Sequence, residues 1–429
     1  MRLTIVADNS TSPNWGCRAT SFALRELLSR DHAIVGTIDR TLLKAPFTTK
    51  ARVRPDLHAT IVAKLRRERL RRLPGIGALA FGAIDFLGET HSPSHAIAAD
   101  AELLWASRKT SPKANALIAQ IEPCDAIVVN GEGEMIFSSP ARDSLLQTLT
   151  ICALASKMGK RVFWLNGMVS AAPDSAVNHE TVEVARQVLG GATIAVRDRL
   201  SLDAAEKLLP GMVDRWFPDA LFKWSLHFGG EAALAYDPSR LTAWFDRTGT
   251  ARPKCTDRPY LVLSGSSQSA RDQKRAADCY TDLATRLESL GLPLLLVETC
   301  VGDIFLREVA RRTGLPCLSV DAPIMAGAAL LANARAFVSG RWHPGILASL
   351  GGTPGVFMGS NSHKTAALQH MLEYPNPVEY SAFPDSDTIN NIVRDTADVL
   401  AQGQELRTRI ARRAGRLASE VPGLLDVIR

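Results

Sequence analysis

The sequence has no CxxC pair. Its seven cysteines (Cys17, Cys124, Cys152, Cys255, Cys279, Cys300 and Cys317) are odd in number and scattered along 429 residues. That spacing argues against a cysteine metal cluster and a disulfide scaffold, so no catalytic metal or bound cofactor is expected. It suits a reducing, cytoplasmic setting. No stretch approaches the roughly 20 apolar residues that span a bilayer. The opening run, "MRLTIVADNS", is too short in apolar residues for a signal peptide. Aromatics are few, and the formal charge of +6 is small for this length. Such a charge suits anionic ligands or a membrane surface and does not call for nucleic acid. There is no internal repeat, no long low-complexity tract and no full GxGxxG.

What the sequence does have is a rhythm. "RLTIVAD" reads as a strand, "RATSFALRELLSRD" as an amphipathic helix and "HAIVGTID" as a second strand. "CDAIVVNG", "KRVFWLNG", "ATIAVRD" and "VDRWFPD" follow, each separated by a helical pattern. Polar, Gly and Pro residues cluster at about 226–258, where an interdomain connection is expected. A second series then runs through "YLVLSGSS", "LPLLLVET", "LPCLSV", "ARAFVSG" and "TPGVFMGS". Strands apolar on both faces and joined by helices mean parallel sheets covered on two sides. The expected architecture is two doubly wound Rossmann-like α/β domains, 1–235 and 236–390. An Arg-rich helical segment at 391–429 is expected to pack across them. Residues 41–115 break the rhythm with a basic helical insertion. It reads either as a patch touching an anionic membrane or a lipid-linked substrate, or as a solvated basic helix.

Doubly wound sheets bind ligands beyond the carboxyl ends of their strands. That rule selects a few loops. In "DNSTSPNWGCRAT", Asn14 and Gly16 precede a helix whose free amides suit an anion, or they form a plain turn. "NGEGEM" is expected to be the loop after the third strand, and it places Glu132 and Glu134 where a dinucleotide pyrophosphate would be repelled. Glu132 can hydrogen-bond sugar hydroxyls, act as a base, or cap a helix. Arg197 ends "ATIAV"; Asp198 and Ser201 have a capping explanation, but Arg197 does not. In "SGRWHPG", Arg341 ends a strand and His343 precedes Pro344, a residue at home in a first helical turn. A guanidinium, an imidazole and a helix N-terminus make an anion site with a proton donor. In "GSNSHK", Lys364 can reach the same anion.

These segments together resemble the polysaccharide pyruvyl transferase family. "SGRWHPGILASLGGTPGVFMGSNSHK" is similar to its Arg-x-His signature, helix, Gly-x-Pro strand start and following lysine. "ATIAVRDRLSLDAAEKL" and "RWFPDALF" are similar to its Val-Arg-Asp-x-x-Ser segment and later Pro-Asp, and "NWGCRAT" looks like its Asn-x-Gly segment. Cys17 stands where many members carry Asp, and Glu132 where a plain Gly run is common. The resemblance implies a GT-B-like fold, two Rossmann-like domains facing a cleft. It implies transfer of a pyruvyl group from phosphoenolpyruvate to two hydroxyls of a saccharide or lipid-linked saccharide in exopolysaccharide biosynthesis. Peripheral contact with the inner face of the membrane is an expectation of the basic 41–115 segment alone and would serve any functional reading. Arg197 and Arg341 would then bind the donor and His343 would be catalytic.

The chemistry agrees. Phosphoenolpyruvate carries a carboxylate and a phosphate, which two arginines from opposite domains and Lys364 can hold. Its methylene carbon must take a proton, and His343 is the candidate acid. A protonated imidazole at a helix N-terminus calls for a nearby carboxylate, and Glu298, after "PLLLV", is one candidate. The main alternative is a GT-B glycosyltransferase with a nucleotide-sugar donor. That enzyme needs carboxylates on the late helix "HPGILASLGG", which has none. The other alternative is a non-catalytic glycan-binding relative.

Overall fold

The computed structural model describes residues 1–47, 93–171, 175–230 and 234–428. Most of the basic 41–115 segment, and with it the expected membrane contact, lies outside the described residues. Among the described residues no helix is long and apolar enough to cross a membrane. All seven cysteines are free thiols.

The chain divides into two compact units. The first holds Met1–Asn9, Leu28–Trp216 and Leu424–Arg429; the second holds Ser10–Leu27 and Phe217–Gly423. The division at Trp216 falls before the expected boundary near 235. The first helix, Trp15–Leu28, belongs almost wholly to the second unit although it follows the first strand. The long helix Ser386–Glu420 also belongs to the second unit.

The first unit is built on a parallel sheet of six strands: β1 (Arg2–Asp8), β2 (Ala33–Asp39), β3 (Ala126–Phe137), β4 (Arg161–Ala171), β5 (Thr193–Val196) and β6 (Val213–Trp216). Their order is β2-β1-β3-β4-β5-β6. Two strands run further than expected. "NGEGEM" and much of "NGMVSAAPD" are not loops but the continuations of β3 and β4. The reason lies in the pairing. β1 holds β3 only up to Val6 opposite Val129, whereas β4 accompanies β3 to Phe137 opposite Ala171, through an irregularity after Glu132. From Asn130 onward, one edge of β3 is therefore released by β1 while the other stays paired. This is the topological switch point of the sheet.

The second unit repeats the design with β7 (Leu261–Ser266), β8 (Leu294–Val297), β9 (Cys317–Leu318), β10 (Ala336–Gly340) and β11 (Gly355–Phe357), in the order β11-β10-β7-β8-β9, all parallel. The neighbours β7 and β10 connect outward in opposite directions, so the switch point lies between them. β7 and β10 are buried at every position, as strands covered on both faces must be.

One buried charge helps hold the second unit together. Arg407, from the Ser386–Glu420 helix, donates through Nη1 to the Ala334 carbonyl at 2.7 Å and through Nη2 to that of Ala332 at 2.6 Å. Both carbonyls lie at the carboxyl end of helix Ile324–Asn333, where backbone acceptors run out of partners. Burial, with repulsion from Arg335, pushes the Arg407 pKa down to about 10. Arg407→Met should lower the unfolding free energy by about 2 kcal/mol, the loss of hydrogen bonds from a charged donor to buried carbonyls. Chemical denaturation of the full chain checks this; an unchanged midpoint would remove Arg407 from the account.

Candidate functional site

In the second unit, the helix that follows β10 and the first helix meet at His343. Arg341 is the N-cap residue of helix Trp342–Leu350, and His343 is the second residue within it. The imidazole is buried, and its Nε2 lies 3.2 Å from Oδ2 of Asp219. Asp219 is fully buried. The same Oδ2 accepts from Trp342 Nε1 at 3.0 Å, while Oδ1 accepts from Thr20 Oγ1 at 2.7 Å and from the Leu221 amide at 3.0 Å.

Gly16 packs against the other side of the ring. A Cβ at Gly16 would stand 2.4 Å from His343 Cβ and 2.8 Å from Nδ1. The Gly of "NWGC" therefore serves the close approach of helix Trp15–Leu28 to the imidazole. Cys17 Sγ and a ring nitrogen of His343 lie within 4.8 Å of each other. Asn14 turns out to be a helix cap: its Oδ1 accepts from the Cys17 amide at 3.2 Å. Trp15 secures the helix by donating Nε1 to the Val320 carbonyl at 2.7 Å and its amide to the Thr299 carbonyl at 2.9 Å.

Arg341 is paired with Asp303, which is fully buried. Asp303 Oδ2 also accepts from the Thr299 amide at 3.1 Å and Thr299 Oγ1 at 2.9 Å. Asp303 follows β8, and Arg341 follows β10. The strand between them, β7, carries Gly265, where any Cβ would fall 2.1 Å from Asp303 Oδ1. The missing side chain on β7 is what lets the carboxylate reach the guanidinium. Burial works against the charge on Arg341, but Asp303 outweighs it and lifts the pKa above the ordinary arginine value. Among the described residues the buried Nε of Arg341 has no hydrogen-bond partner.

Glu298 is not the partner of His343. Its carboxylate is bound by Arg307 Nη2 at 2.9 Å and lies 3.3 Å from the Val320 amide. β8, which Glu298 follows, is two strands away from β10, and the acid at the imidazole comes instead from "FPDAL". Lys364 opens helix Lys364–Met371 and donates to Asn361 Oδ1 at 3.1 Å. Its loop is tied to the one after β7 by Ser267 Oγ, 2.9 Å from Ser360 Oγ.

In the first unit a buried polar network fills the switch point between β1 and β3. Asn9 Nδ2 donates to Glu132 Oε1 at 2.7 Å, and Asn130 Nδ2 to the same oxygen at 3.0 Å. Asn166 Nδ2 donates to Asn130 Oδ1 at 3.3 Å, and Arg40 Nε to Asn9 Oδ1 at 3.1 Å. Arg40 also pairs with Glu134. Glu132 holds φ at 33°, a left-handed conformation that a non-glycine residue adopts only when its surroundings enforce it. Arg197 lies just beyond β5, is buried, and donates its amide to the Gly167 carbonyl at 2.8 Å. Asp198 caps the next helix by accepting from the Ser201 amide at 2.7 Å and Ser201 Oγ at 2.8 Å.

Sequence reasoning assigned no role to Asp219 or Asp303. The signals were present as Pro218-Asp219 and as the acid ending "ETCVGD", but nothing in either spacing says which cation or ring it meets.

Comparison with known proteins gives the family and the fold. The family model for polysaccharide pyruvyl transferase matches residues 16–362. No curated protein matches the chain. The Neisseria meningitidis UDP-GlcNAc 2-epimerase bound to UDP-GlcNAc is similar with a TM-score of 0.52 and 8% identity, over 100% of this chain and 99% of that one. Arabidopsis thaliana UGT89C1 complexed with UDP-L-rhamnose is similar with a TM-score of 0.50 and 12% identity, over 99% and 98%. At such identities the likeness is one of fold: GT-B-like, with two Rossmann-like doubly wound units, as the strand rhythm led us to expect.

Two predictions arise here. Gly16→Ala should displace the His343 ring and destabilise the protein by about 1–3 kcal/mol, since the contact is too short to absorb a methyl. A thermal midpoint equal to wild type, with an unmoved His343 in a crystal structure, would contradict it. The second concerns acid. Burial pushes the Glu134 pKa up, but Arg40 and Arg142 outweigh it and hold it at about 2, below the ordinary 4.5. A depressed carboxylate stabilises the fold above its unfolded pKa, and that contribution fades as pH falls from about 4.5 towards 2. It amounts to on the order of 3 kcal/mol. Glu134→Gln should therefore cut stability at pH 7 and flatten its acid dependence, as measured by urea titrations between pH 7 and 3.

Proposed function

We propose that this chain, which belongs to the polysaccharide pyruvyl transferase family, moves a pyruvyl group from phosphoenolpyruvate to two hydroxyls of a sugar, forming a pyruvate ketal. The observation that carries the reading is the Arg341–His343 pair at the switch point of the second unit, with Arg341 braced by Asp303 and His343 held by Asp219.

Arg341 suits the donor. Asp303 engages one arm of the guanidinium, while the buried Nε is an N–H that needs an acceptor. A carboxylate or phosphate oxygen of phosphoenolpyruvate supplies one. Lys364 adds a point charge from the neighbouring loop. Arg197, the arginine of the family's Val-Arg-Asp segment, is assigned to the donor on the strength of that motif. Glu132, held in place by Asn9 and Asn130, is assigned to acceptor hydroxyls.

The reaction balances without an added oxidant or reductant. His343 gives a proton to the methylene carbon, and the π pair of the double bond forms the new C–H bond. The adjacent carbon becomes electron-poor and takes the oxygen of the first hydroxyl, whose proton resets the imidazole. The C–O bond to phosphate then breaks with its electron pair on the leaving group. The second hydroxyl closes the ketal, and its proton leaves with phosphate. General acid assistance of this kind contributes about 10²–10⁴-fold.

A nucleotide-sugar donor, the kind of ligand named for both structural relatives, would require carboxylates for ribose and sugar on the late helix. Trp342–Leu350 offers none, and all nine of its residues are buried.

Isothermal titration with phosphoenolpyruvate, and separately with a panel of nucleotide sugars, tests the reading. Phosphoenolpyruvate should bind wild type and His343→Ala but not Arg341→Ala. A nucleotide sugar that binds where phosphoenolpyruvate does not would replace pyruvyl transfer with glycosyl transfer.

A further inference from the structure

The geometry points to Asp219 as the positioning residue that fixes the tautomer of His343, and we infer that Nδ1, not Nε2, is the ring nitrogen that exchanges a proton with the substrate. The assignment of the exchanging nitrogen rests on the pyruvyl-transfer reading above; the tautomer does not.

The argument is one of donors and acceptors. An indole N–H and a backbone N–H can only donate. Trp342 Nε1 points at Asp219 Oδ2 at 3.0 Å and the Leu221 amide at Oδ1 at 3.0 Å, so both carboxylate oxygens act as acceptors. Thr20 Oγ1, 2.7 Å from Oδ1, adds a hydroxyl to the acceptor side of the same group. A fully buried carboxylate so surrounded is held as an acceptor. His343 Nε2, 3.2 Å from Oδ2, is then the donating nitrogen and carries the hydrogen in the neutral ring.

The neutral ring thus has its lone pair on Nδ1, and protonation adds the transferable hydrogen there. Gly16 packs close to this part of the ring, and a Cβ there would sit 2.8 Å from Nδ1. The absent side chain is what lets the first helix pack this closely and hold the ring in place. In the transfer step, Nδ1–H gives its proton to the methylene carbon. The first attacking hydroxyl returns a proton to Nδ1, and the Nε2–H to Asp219 bond persists throughout. Three tethers hold that carboxylate besides the ring, so Asp219 controls ring orientation without contacting substrate.

The test reads the tautomer directly. The full-length protein is labelled with ¹⁵N-histidine, and long-range ¹H–¹⁵N correlations are recorded. His343 is assigned by its loss in His343→Gln, because the chain has nine histidines. The wild-type ring should show the Nε2–H pattern above its titration. Asp219→Asn, close in shape but with an amide at one position, should move the ring towards Nδ1–H. It should also lower kcat by about 100-fold or more, with KM for phosphoenolpyruvate changed far less and the acid limb of the pH–rate profile shifted. A wild-type Nδ1–H pattern would overturn the inference, and that measurement stands even if Asp219→Asn does not fold. A folded Asp219→Asn that keeps both the wild-type tautomer and the wild-type pH profile would overturn it too. No substrate enters the tautomer measurement. A chain that shows Nε2–H but fails to bind phosphoenolpyruvate therefore refutes the donor and leaves the positioning role standing.

Discussion

A single buried carboxylate organises the second unit. Asp219 has no solvent to share its charge with, so its stability depends on the donors around it. Those four donors come from three places in sequence: Thr20 on the first helix, Leu221 two residues beyond Asp219 itself, and the adjacent Trp342 and His343 at the start of a helix more than a hundred residues later. Removing the carboxylate would leave buried donors unsatisfied, and removing any donor would weaken the hold on the charge. The first helix belongs to this unit although the strand that precedes it belongs to the other, and this network together with Trp15 describes what keeps it there.

The second acid, Asp303, solves a related problem at shorter range. Arg341 is mostly buried, and a guanidinium in that position needs a counter-charge. The glycine at position 265 opens the passage over β7. Glycine recurs at each close approach near the site, with Gly16 against the imidazole and Gly302 beside Arg341, where a Cβ would lie 3.1 Å from Nη2. The polar groups are thus set by backbone proximity more than by long flexible side chains, which favours a fixed constellation. The first unit follows the same logic at its own switch point, where β3 outlasts its pairing with β1 and turns Asn130 and Glu132 into a hydrogen-bonded cluster with Asn9.

Much of this was legible before any coordinates. Alternating apolar strands and helical segments gave the two parallel sheets, and the carboxyl-end rule selected the loops that hold Arg341, His343 and Gly16. Asp198 and Ser201 cap their helix as their spacing suggests. The errors share a cause. "NGEGEM" looks like a loop because Gly and Glu are poor strand formers, yet pairing to β4 on one edge carries the strand through it. Glu298 looked like the acid for His343 because it ends a strand, as His343 nearly does. Strand order in the sheet, which is not a local property, puts β7 between them.

The sequence by itself determined the elements, the family and the side chains capable of chemistry, because periodicity, capping and motif spacing are written in neighbouring residues. Which groups meet was decided only by the tertiary structure. That Asp219 takes the imidazole, that Asp303 takes Arg341 across a glycine, and that the first helix belongs to the second unit all depend on contacts between residues up to about three hundred positions apart. Such contacts form because buried charges and donors must find partners, and where the partner lies is set by how the sheets order their strands.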